Sequence, residues 1–146
     1  MFDGPLKDDE IILHGDLGPW NTVWLDDRLE GFIDWDLAHP GPAIEDLAQM
    51  AWYLVPLRPD DHAKACGLTD LVDRAGRLRA LCSAYGGQNE TDVLEAAASI
   101  MHRELRAIRN EGALGLEPWA TFVRDDQETR VAASLNWLRP HAQDFA

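Results

Sequence analysis

The stretches His14-Gly15-Asp16-Leu17-Gly18-Pro19-Trp20-Asn21 and Phe32-Ile33-Asp34-Trp35-Asp36 decide how this chain is interpreted. Both place polar side chains where apolar segments meet turns. A carboxylate in such a position can accept a proton from a hydroxyl group, and a second carboxylate with an amide oxygen can hold Mg²⁺. Asp16 fits the first role, and Asn21 with Asp34 fits the second.

The spacing within the first stretch is the more specific signal. A histidine two residues before an aspartate and an asparagine five residues after it reproduce the kinase catalytic-loop pattern H-x-D-x-x-x-x-N. Gly15 stands where protein kinases carry arginine, and Trp35-Asp36 replaces the Phe-Gly that follows their metal-binding aspartate. With these departures the chain resembles the aminoglycoside phosphotransferase-like family, whose usual forms are H-G-D-x-x-x-x-N, I-D-[FW]-[DE] and a later D-L-A, here Asp46-Leu47-Ala48.

Within that family the chain most resembles the bacterial branch labelled with a trifolitoxin-immunity domain. Members of this branch carry H-G-D-x-x-P-W-N-T-V followed by I-D-W-D, which matches residues 14–23 and 33–36. The resemblance is motif-specific from about residue 11 to residue 57, and beyond that it rests on a similar succession of helices.

The resemblance implies a phosphotransferase that moves a phosphoryl group from ATP to a small-molecule hydroxyl acceptor, with Mg²⁺ and ATP as cofactors. It implies that Asp16 orients or deprotonates the hydroxyl and that Asn21 and Asp34 bind the metal. It also implies that His14 orients the loop and that Asp46 braces the loop through backbone hydrogen bonds. It assigns no residue to the nucleotide itself.

Each of these residues also has a purely structural explanation. Asp16 could be a turn residue or a cap, and an asparagine before a strand, such as Asn21, is ordinary turn chemistry. His14 could be a partly buried histidine or a direct acid/base group. Asp36 is a secondary candidate that could assist the metal, hold a nearby water, or simply be exposed or bonded to the backbone.

Family members begin with a small lobe that grips the nucleotide with a glycine-rich loop and a lysine. This 146-residue chain reaches the catalytic loop at His14 and contains no G-x-G-x-x-G, P-loop or V-A-I-K pattern. Lys7 and Lys64 are its only lysines, and neither has the required context. We therefore expect a C-terminal catalytic lobe with the N-terminal nucleotide lobe absent. Trp20 and Trp35 would then lie under that lobe.

Whether such a lobe is an active enzyme is open at this point. The missing lobe could come in trans from another polypeptide or from a second copy in a homo-oligomer. Alternatively, the chain could be an inactive, truncated kinase lobe, or a non-catalytic binding or immunity-type module. Removing one wall of a two-lobe cleft would weaken nucleotide binding, which is the physical reason for keeping these alternatives.

The composition restricts the partners. Twenty-six acidic and 13 basic residues give a formal net charge of −13, which disfavours binding to nucleic acid and to anionic membrane surfaces. The same charge could favour a cationic acceptor, although acidic composition is common in bacterial cytosolic proteins. The chain has no window of about eighteen apolar residues and no signal-peptide pattern, so we expect a cytoplasmic protein.

The pattern of apolar residues predicts one α+β domain over residues 1–146, with the motifs in 11–57 and a helical body in 58–146. This is the layout of a protein-kinase-like C-lobe, with a small β element on a mainly helical body. Strands are expected at 11–13, 22–25 and 31–34, the last two forming a hairpin that returns Asn21 and Asp34 to one edge. Residues 39–42 are expected to be irregular. Helices are expected to begin near residues 42–43, 69, 89–91 and 118, with a last one ending at Pro140.

Overall fold

The computed structural model describes residues 6–69 and 71–145. Short strands come first and helices follow, which confirms the α+β class. The strands are β1 (Glu10–Leu13), β2 (Thr22–Leu25), β3 (Arg28–Phe32) and β4 (His39–Pro42). The helices are α1 (Ile44–Leu54), α2 (Asp60–Ala65), α3 (Arg74–Ala84), α4 (Glu90–Asn110), α5 (Trp119–Arg124) and α6 (Gln127–His141). Single 3-10 turns cover Pro19–Asn21, Gly112–Leu114 and Ala142–Phe145.

The predicted hairpin is present as β2 and β3, which pair antiparallel from Thr22 opposite Phe32. Strand β3 begins earlier than predicted because the turn needs only Asp26 and Asp27, whose φ angles are 48° and 59°. Two consecutive positive φ angles match the twist of a two-residue hairpin turn. At the opposite end, the backbone oxygen of Asn21 accepts the N–H of Ile33 at 3.0 Å. The residues on either side of the hairpin, including Asn21 and Asp34, therefore meet at one edge, as predicted.

The expectation that residues 39–42 are irregular is wrong. They form β4, which pairs antiparallel with β1, with Ile12 opposite Pro40 and Glu10 opposite Pro42. The two prolines are spaced by two, so the N–H groups they lack point to the same side of the strand. An edge strand tolerates this, because only the other side has to bond to the neighbouring strand.

Most predicted helices are confirmed, with their ends set by local chemistry. Helix α1 starts after Ala43, and α5 starts after Pro118. Helix α4 is capped by Asn89, whose side-chain oxygen accepts the N–H groups of Thr91 and Asp92 at 2.9 and 3.2 Å. Helix α6 runs one residue past Pro140, which is tolerated in its last turn.

The third helix begins later than predicted. Its N-cap is Asp73, whose carboxylate accepts the N–H of Gly76 at 2.7 Å, rather than Thr69. Val72, expected on the buried face, lies before this cap and is 96% exposed. The short helix α2 was not predicted, because its six residues carry too few apolar positions to show a period.

The core is built by the helices. Helix α4 lies between α1 and α6 and contributes the largest share of fully buried side chains. These are Val93, Leu94, Ala97, Ile100, Met101, Leu105 and Ile108. In the described part of the chain, no helix combines the length and the apolar character needed to cross a bilayer. The β elements, in contrast, leave many apolar side chains exposed, so they lie on the helical body as a thin layer.

Candidate active site

The first turn of α1 holds the loop that follows β1. The Asp46 carboxylate accepts the backbone N–H of His14 at 2.8 Å and that of Gly15 at 3.2 Å. Asp46 lies in the first turn of α1, where the positive end of the helix dipole favours a negative charge. The predicted bracing role of Asp46 is confirmed.

A second brace comes from Gln49, three residues further along the same helix. Its side-chain oxygen accepts the N–H of Leu17 at 2.8 Å, and its nitrogen donates to the carbonyl of Gly15 at 3.2 Å. Sequence reasoning missed Gln49. The i, i+3 spacing from Asp46 could have indicated it, because residues three apart lie on one face of a helix.

Two glycines make the loop possible. Gly15 has φ +79°, and a Cβ atom there would lie 2.4 Å from the carbonyl oxygen of Leu37. A Cβ at Gly18 would lie 2.2 Å from the ring of Trp20, which folds back over the loop. The glycine that replaces the arginine of protein kinases is therefore required by local sterics.

His14 links the two motifs and is 1% exposed. Its Nδ1 accepts the backbone N–H of Asp16 at 3.3 Å, so its Nε2 carries the proton that it donates to the carbonyl of Ile33 at 2.8 Å. The Trp35 ring packs against it with centroids 4.6 Å apart. Because both ring nitrogens are occupied within the fold, His14 is a positioning residue for Asp16 and for the segment that carries Asp34.

Asp16 is held by two side-chain donors on one oxygen. Its Oδ2 accepts from Asn21 Nδ2 at 2.9 Å and from Trp20 Nε1 at 3.1 Å. Asn21 Nδ2 also donates to the backbone oxygen of Asp16 at 2.9 Å, and Asn21 is only 4% exposed. These bonds stabilise an ionised, oriented carboxylate. Sequence reasoning paired Asp16 with Asn21 by spacing alone and did not identify Trp20 as a donor.

Asp34 follows β3 and lies at the surface with φ +64°. Few residues without a glycine's freedom adopt this conformation, and such residues concentrate at functional sites. Among residues 6–69 and 71–145, no group of three or more His, Cys, Asp or Glu side chains is arranged to hold a metal ion. The predicted pair of Asn21 and Asp34 joins one amide with one carboxylate, so it is a different kind of site and remains a prediction.

A half-buried carboxylate, Glu104 of α4, lies near Asp16. Burial, and then repulsion from Asp16, raises the pKa of Glu104 to about 7, which the Arg58 guanidinium partly opposes. Tyr53 lies in the same place: burial and then Glu104 raise the pKa of its hydroxyl. The Tyr53 ring meets the Trp20 ring edge-on with centroids 4.6 Å apart.

Sequence reasoning considered Glu104 only as one of several acidic groups that could meet a cationic substrate. Its signal was its place on the apolar stripe, three residues after Met101 and four before Ile108. The other acidic pairs named with it, Asp60-Asp61 and Asp125-Asp126, are exposed. Only Glu104 is brought to Asp16.

Exposed apolar side chains surround the polar centre. Trp20 is 54% exposed and Trp35 is 50% exposed. Six more large apolar residues of the β elements and their connections are exposed: Ile11, Ile12, Val23, Trp24, Leu25 and Ile33. We call these eight residues the apolar β face. Apolar exposure on this scale marks a surface that contacts another part of a protein or a ligand.

Comparison with known proteins supports the resemblance seen in the motifs. Residues 3–77, just over half of the 146-residue chain, match the phosphotransferase enzyme family. Over 76 residues the chain is 41% identical to the trifolitoxin immunity protein of Rhizobium leguminosarum bv. trifolii, which covers 52% of this chain and 29% of that protein. The chain thus spans less than a third of the length of this relative. No solved structure matches the chain.

Proposed function

Because the chain belongs to the phosphotransferase enzyme family, we propose that it forms the catalytic, kinase-like half of an ATP-dependent phosphotransferase acting on a small-molecule hydroxyl. The observation that carries the proposal is the placement of Asn21. Its side chain bonds to Asp16, and its backbone oxygen bonds to Ile33, next to Asp34. One residue thus joins the group that would handle the proton to the group that would bind the metal.

Asp16 is the residue that accepts the proton of the acceptor hydroxyl. Its Oδ2 is occupied by Trp20 and Asn21, whereas its Oδ1 accepts no hydrogen bond from the part of the chain described. The hydroxyl donates to Oδ1, its oxygen forms a bond to the γ-phosphorus, the bond from that phosphorus to the bridging oxygen breaks, and the proton passes to Asp16. ADP is the leaving group.

The residues present suit Mg²⁺. Asn21 uses its Nδ2 on Asp16, and its Oδ1 accepts no hydrogen bond from residues 6–69 and 71–145, so an amide oxygen is left for a ligand. Asp34 adds a carboxylate, and Mg²⁺ prefers such oxygen ligands together with phosphates and water. When bound, the ion would neutralise charge on the nucleotide phosphates. Asp36 stays a secondary candidate.

The nucleotide needs walls that these residues do not provide. We propose that a nucleotide-binding lobe outside the described residues covers the apolar β face, either as another part of a longer protein, as a separate polypeptide in trans, or in a homo-oligomer. Support comes from the exposed apolar side chains beside the site and from the matched relative, of which 71% of the length lies outside the match. ATP and Mg²⁺ place this function in the cytoplasm.

The test is calorimetric titration with Mg-ATP of the wild type, Asp34→Ala and Asp61→Ala. Asp61 is an exposed carboxylate of α2 and serves as the matched control. Saturable binding that is lost in Asp34→Ala and kept in Asp61→Ala supports the site. Equal binding by all three proteins would contradict the metal assignment. Asp16→Asn should bind Mg-ATP normally and lose phosphoryl transfer, because it removes the proton acceptor alone.

A second candidate function is a non-catalytic binding module. It is favoured by the apolar β face and by the immunity protein to which the chain is similar. Under this proposal the face binds a partner and the polar centre only shapes the loop. Asp34→Ala would then leave partner binding intact, whereas Trp24→Ala would weaken it, and the wild type would transfer no phosphoryl group.

A further inference from the structure

Two side chains of opposite charge share the surroundings of Asp16 and have no role in the proposed transfer step. Glu104 comes from the middle of α4, and Arg58 follows the end of α1. The charges of Asp16, Glu104 and Arg58 act on one another, and Tyr53 feels all three. The four groups thus form one cluster around the oxygen that would receive the acceptor.

Arg58 is poorly satisfied within the fold. Its guanidinium lies over the Tyr53 ring at 4.8 Å. Its hydrogen bonds, to the carbonyl of Trp52 and to the Cys66 sulfur, are both 3.5 Å long, and its Nε is buried without a partner. It forms no ion pair with any carboxylate in the described part of the chain. A half-buried guanidinium in this state keeps donors available for an anion.

Glu104 is unsatisfied in the complementary way. Its carboxylate accepts no hydrogen bond from residues 6–69 and 71–145, although the side chain is half-buried. A partly desolvated carboxylate without a donor is stabilised when a cation reaches it. The raised pKa of about 7 shows how weakly the surroundings compensate its charge.

We propose, on the basis of the phosphotransferase function above, that the acceptor is a small zwitterionic alcohol whose ammonium group binds Glu104 and whose anionic group binds Arg58. A purely cationic acceptor would leave Arg58 without a partner and would be repelled by it. A purely anionic acceptor would be repelled by Asp16 and Glu104. Only a molecule with both charges satisfies both side chains.

The aromatic rings supply the rest of the subsite. Tyr53 contacts both Trp20 and Arg58 through its ring. Trp20 in turn bonds to Asp16, so an apolar surface leads from the charged pair to the carboxylate that receives the hydroxyl proton. A short carbon chain lying on these rings would present its hydroxyl group to Asp16, which is the usual arrangement of apolar walls with a few polar anchors.

The experiment compares matched ligands by calorimetry without nucleotide. The zwitterions are L-serine and L-homoserine. Ethanolamine and propanolamine lack only the carboxylate, whereas β-hydroxypropionate and γ-hydroxybutyrate lack only the ammonium group. The proteins are the wild type, Glu104→Gln and Arg58→Met, with Glu95→Gln and Arg79→Met as controls, because Glu95 and Arg79 are exposed residues of α4 and α3.

At least one zwitterion should bind about tenfold more tightly than either of its single-charge analogues, since each lost contact is a charge-assisted hydrogen bond. Glu104→Gln should weaken the zwitterion and the amine but leave the hydroxy acid unchanged. Arg58→Met should weaken the zwitterion and the hydroxy acid but leave the amine unchanged. The controls should match the wild type. Absence of binding by both zwitterions, or equal binding of all three ligand types, would overturn the proposal.

The nucleotide is the other source of an anion for Arg58, and a Mg-ATP titration of the same variants separates it. If Arg58→Met weakens Mg-ATP and spares the zwitterion, then Arg58 binds phosphate and the proposed acceptor class is wrong. The proposed function would stand in that case. Conversely, zwitterion binding that depends on Glu104 and Arg58 in a chain that binds no Mg-ATP would keep the subsite and reject the transfer reaction.

Discussion

Oxygen Oδ2 of Asp46 accepts the backbone N–H of His14 at 2.8 Å, joining residues that are 32 positions apart in the chain. The other oxygen accepts the N–H of Gly15 at 3.2 Å. The orientation of the loop that carries Asp16 therefore depends on a helix that supplies no atom to the proposed reaction.

Replacing Asp46 should loosen this loop. Asp46→Ala leaves two backbone donors unsatisfied and should lower the free energy of unfolding by roughly 2–3 kcal/mol. Asp46→Asn keeps one acceptor oxygen and should cost about half as much. Urea denaturation measures both, with Glu95→Ala as an exposed control on α4. Equal stability of Asp46→Ala and the control would show that the brace is unimportant.

Gly15→Ala should be more damaging than the same change at another glycine of similar conformation. Both Gly15 and Gly67 have positive φ, +79° and +84°, but a Cβ at Gly67 meets nothing within 4 Å. Gly67→Ala should cost about 1 kcal/mol from backbone strain alone. Gly15→Ala adds a clash with the Leu37 carbonyl and should cost about 3 kcal/mol or more. Similar unfolding midpoints for the two variants would refute the steric argument.

Glu104 should make the stability depend on pH. In the unfolded chain its carboxyl loses its proton near its ordinary pKa of 4.5, whereas the folded protein retains the proton until about 7. The folded state thus binds more protons between these values, and stability should fall by up to about 3 kcal/mol as pH rises from 4.5 to 7.

Glu104→Gln cannot ionise, so its stability should lack this decline and should exceed that of the wild type at pH 8. Urea denaturation at pH 5, 6, 7 and 8 would measure the difference. Glu95→Gln, on the exposed face of the same helix, should keep the decline of the wild type. A wild type whose stability is flat over this range would place Glu104 in solvent.

The hairpin turn should accept glycine with a gain. Asp26 and Asp27 both have positive φ, which costs energy for a residue with a Cβ and none for glycine. Asp27→Gly should stabilise the hairpin by about 0.5 kcal/mol, because glycine is preferred at this turn position. Slower amide exchange at Val23 and Gly31 would report it. Glu30→Gly, within β3, should accelerate exchange at the same amides.

The parts of the fold that could be predicted are those with strong local signals. Helices α1 and α4 carry regular apolar stripes, and the hairpin is bounded by polar turn residues. Strand β4 was missed because two prolines in four residues argue against a strand unless its partner is known. Helix α2 was missed because a six-residue helix has no period to detect.

The candidate site divides in the same way. The spacing of Asp16 and Asn21 correctly indicated that their side chains would meet, and the D-L-A motif correctly indicated the role of Asp46. Glu104 and Arg58 could not be assigned, because they come from separate helical segments more than forty residues beyond Asp16. Only the packing of α4 against α1 brings them to the loop.

The placement of the indole rings makes the polar centre observable by light. Trp20 bonds to Asp16 and Trp35 packs on His14, and both rings are about half exposed, whereas Trp52 is buried in the core. Indole emission responds to the polarity around the ring and to nearby quenching groups. Arrival of a nucleotide, metal ion or acceptor should therefore change the intrinsic fluorescence of the unlabelled protein, and Trp20→Phe and Trp35→Phe would identify the ring that responds.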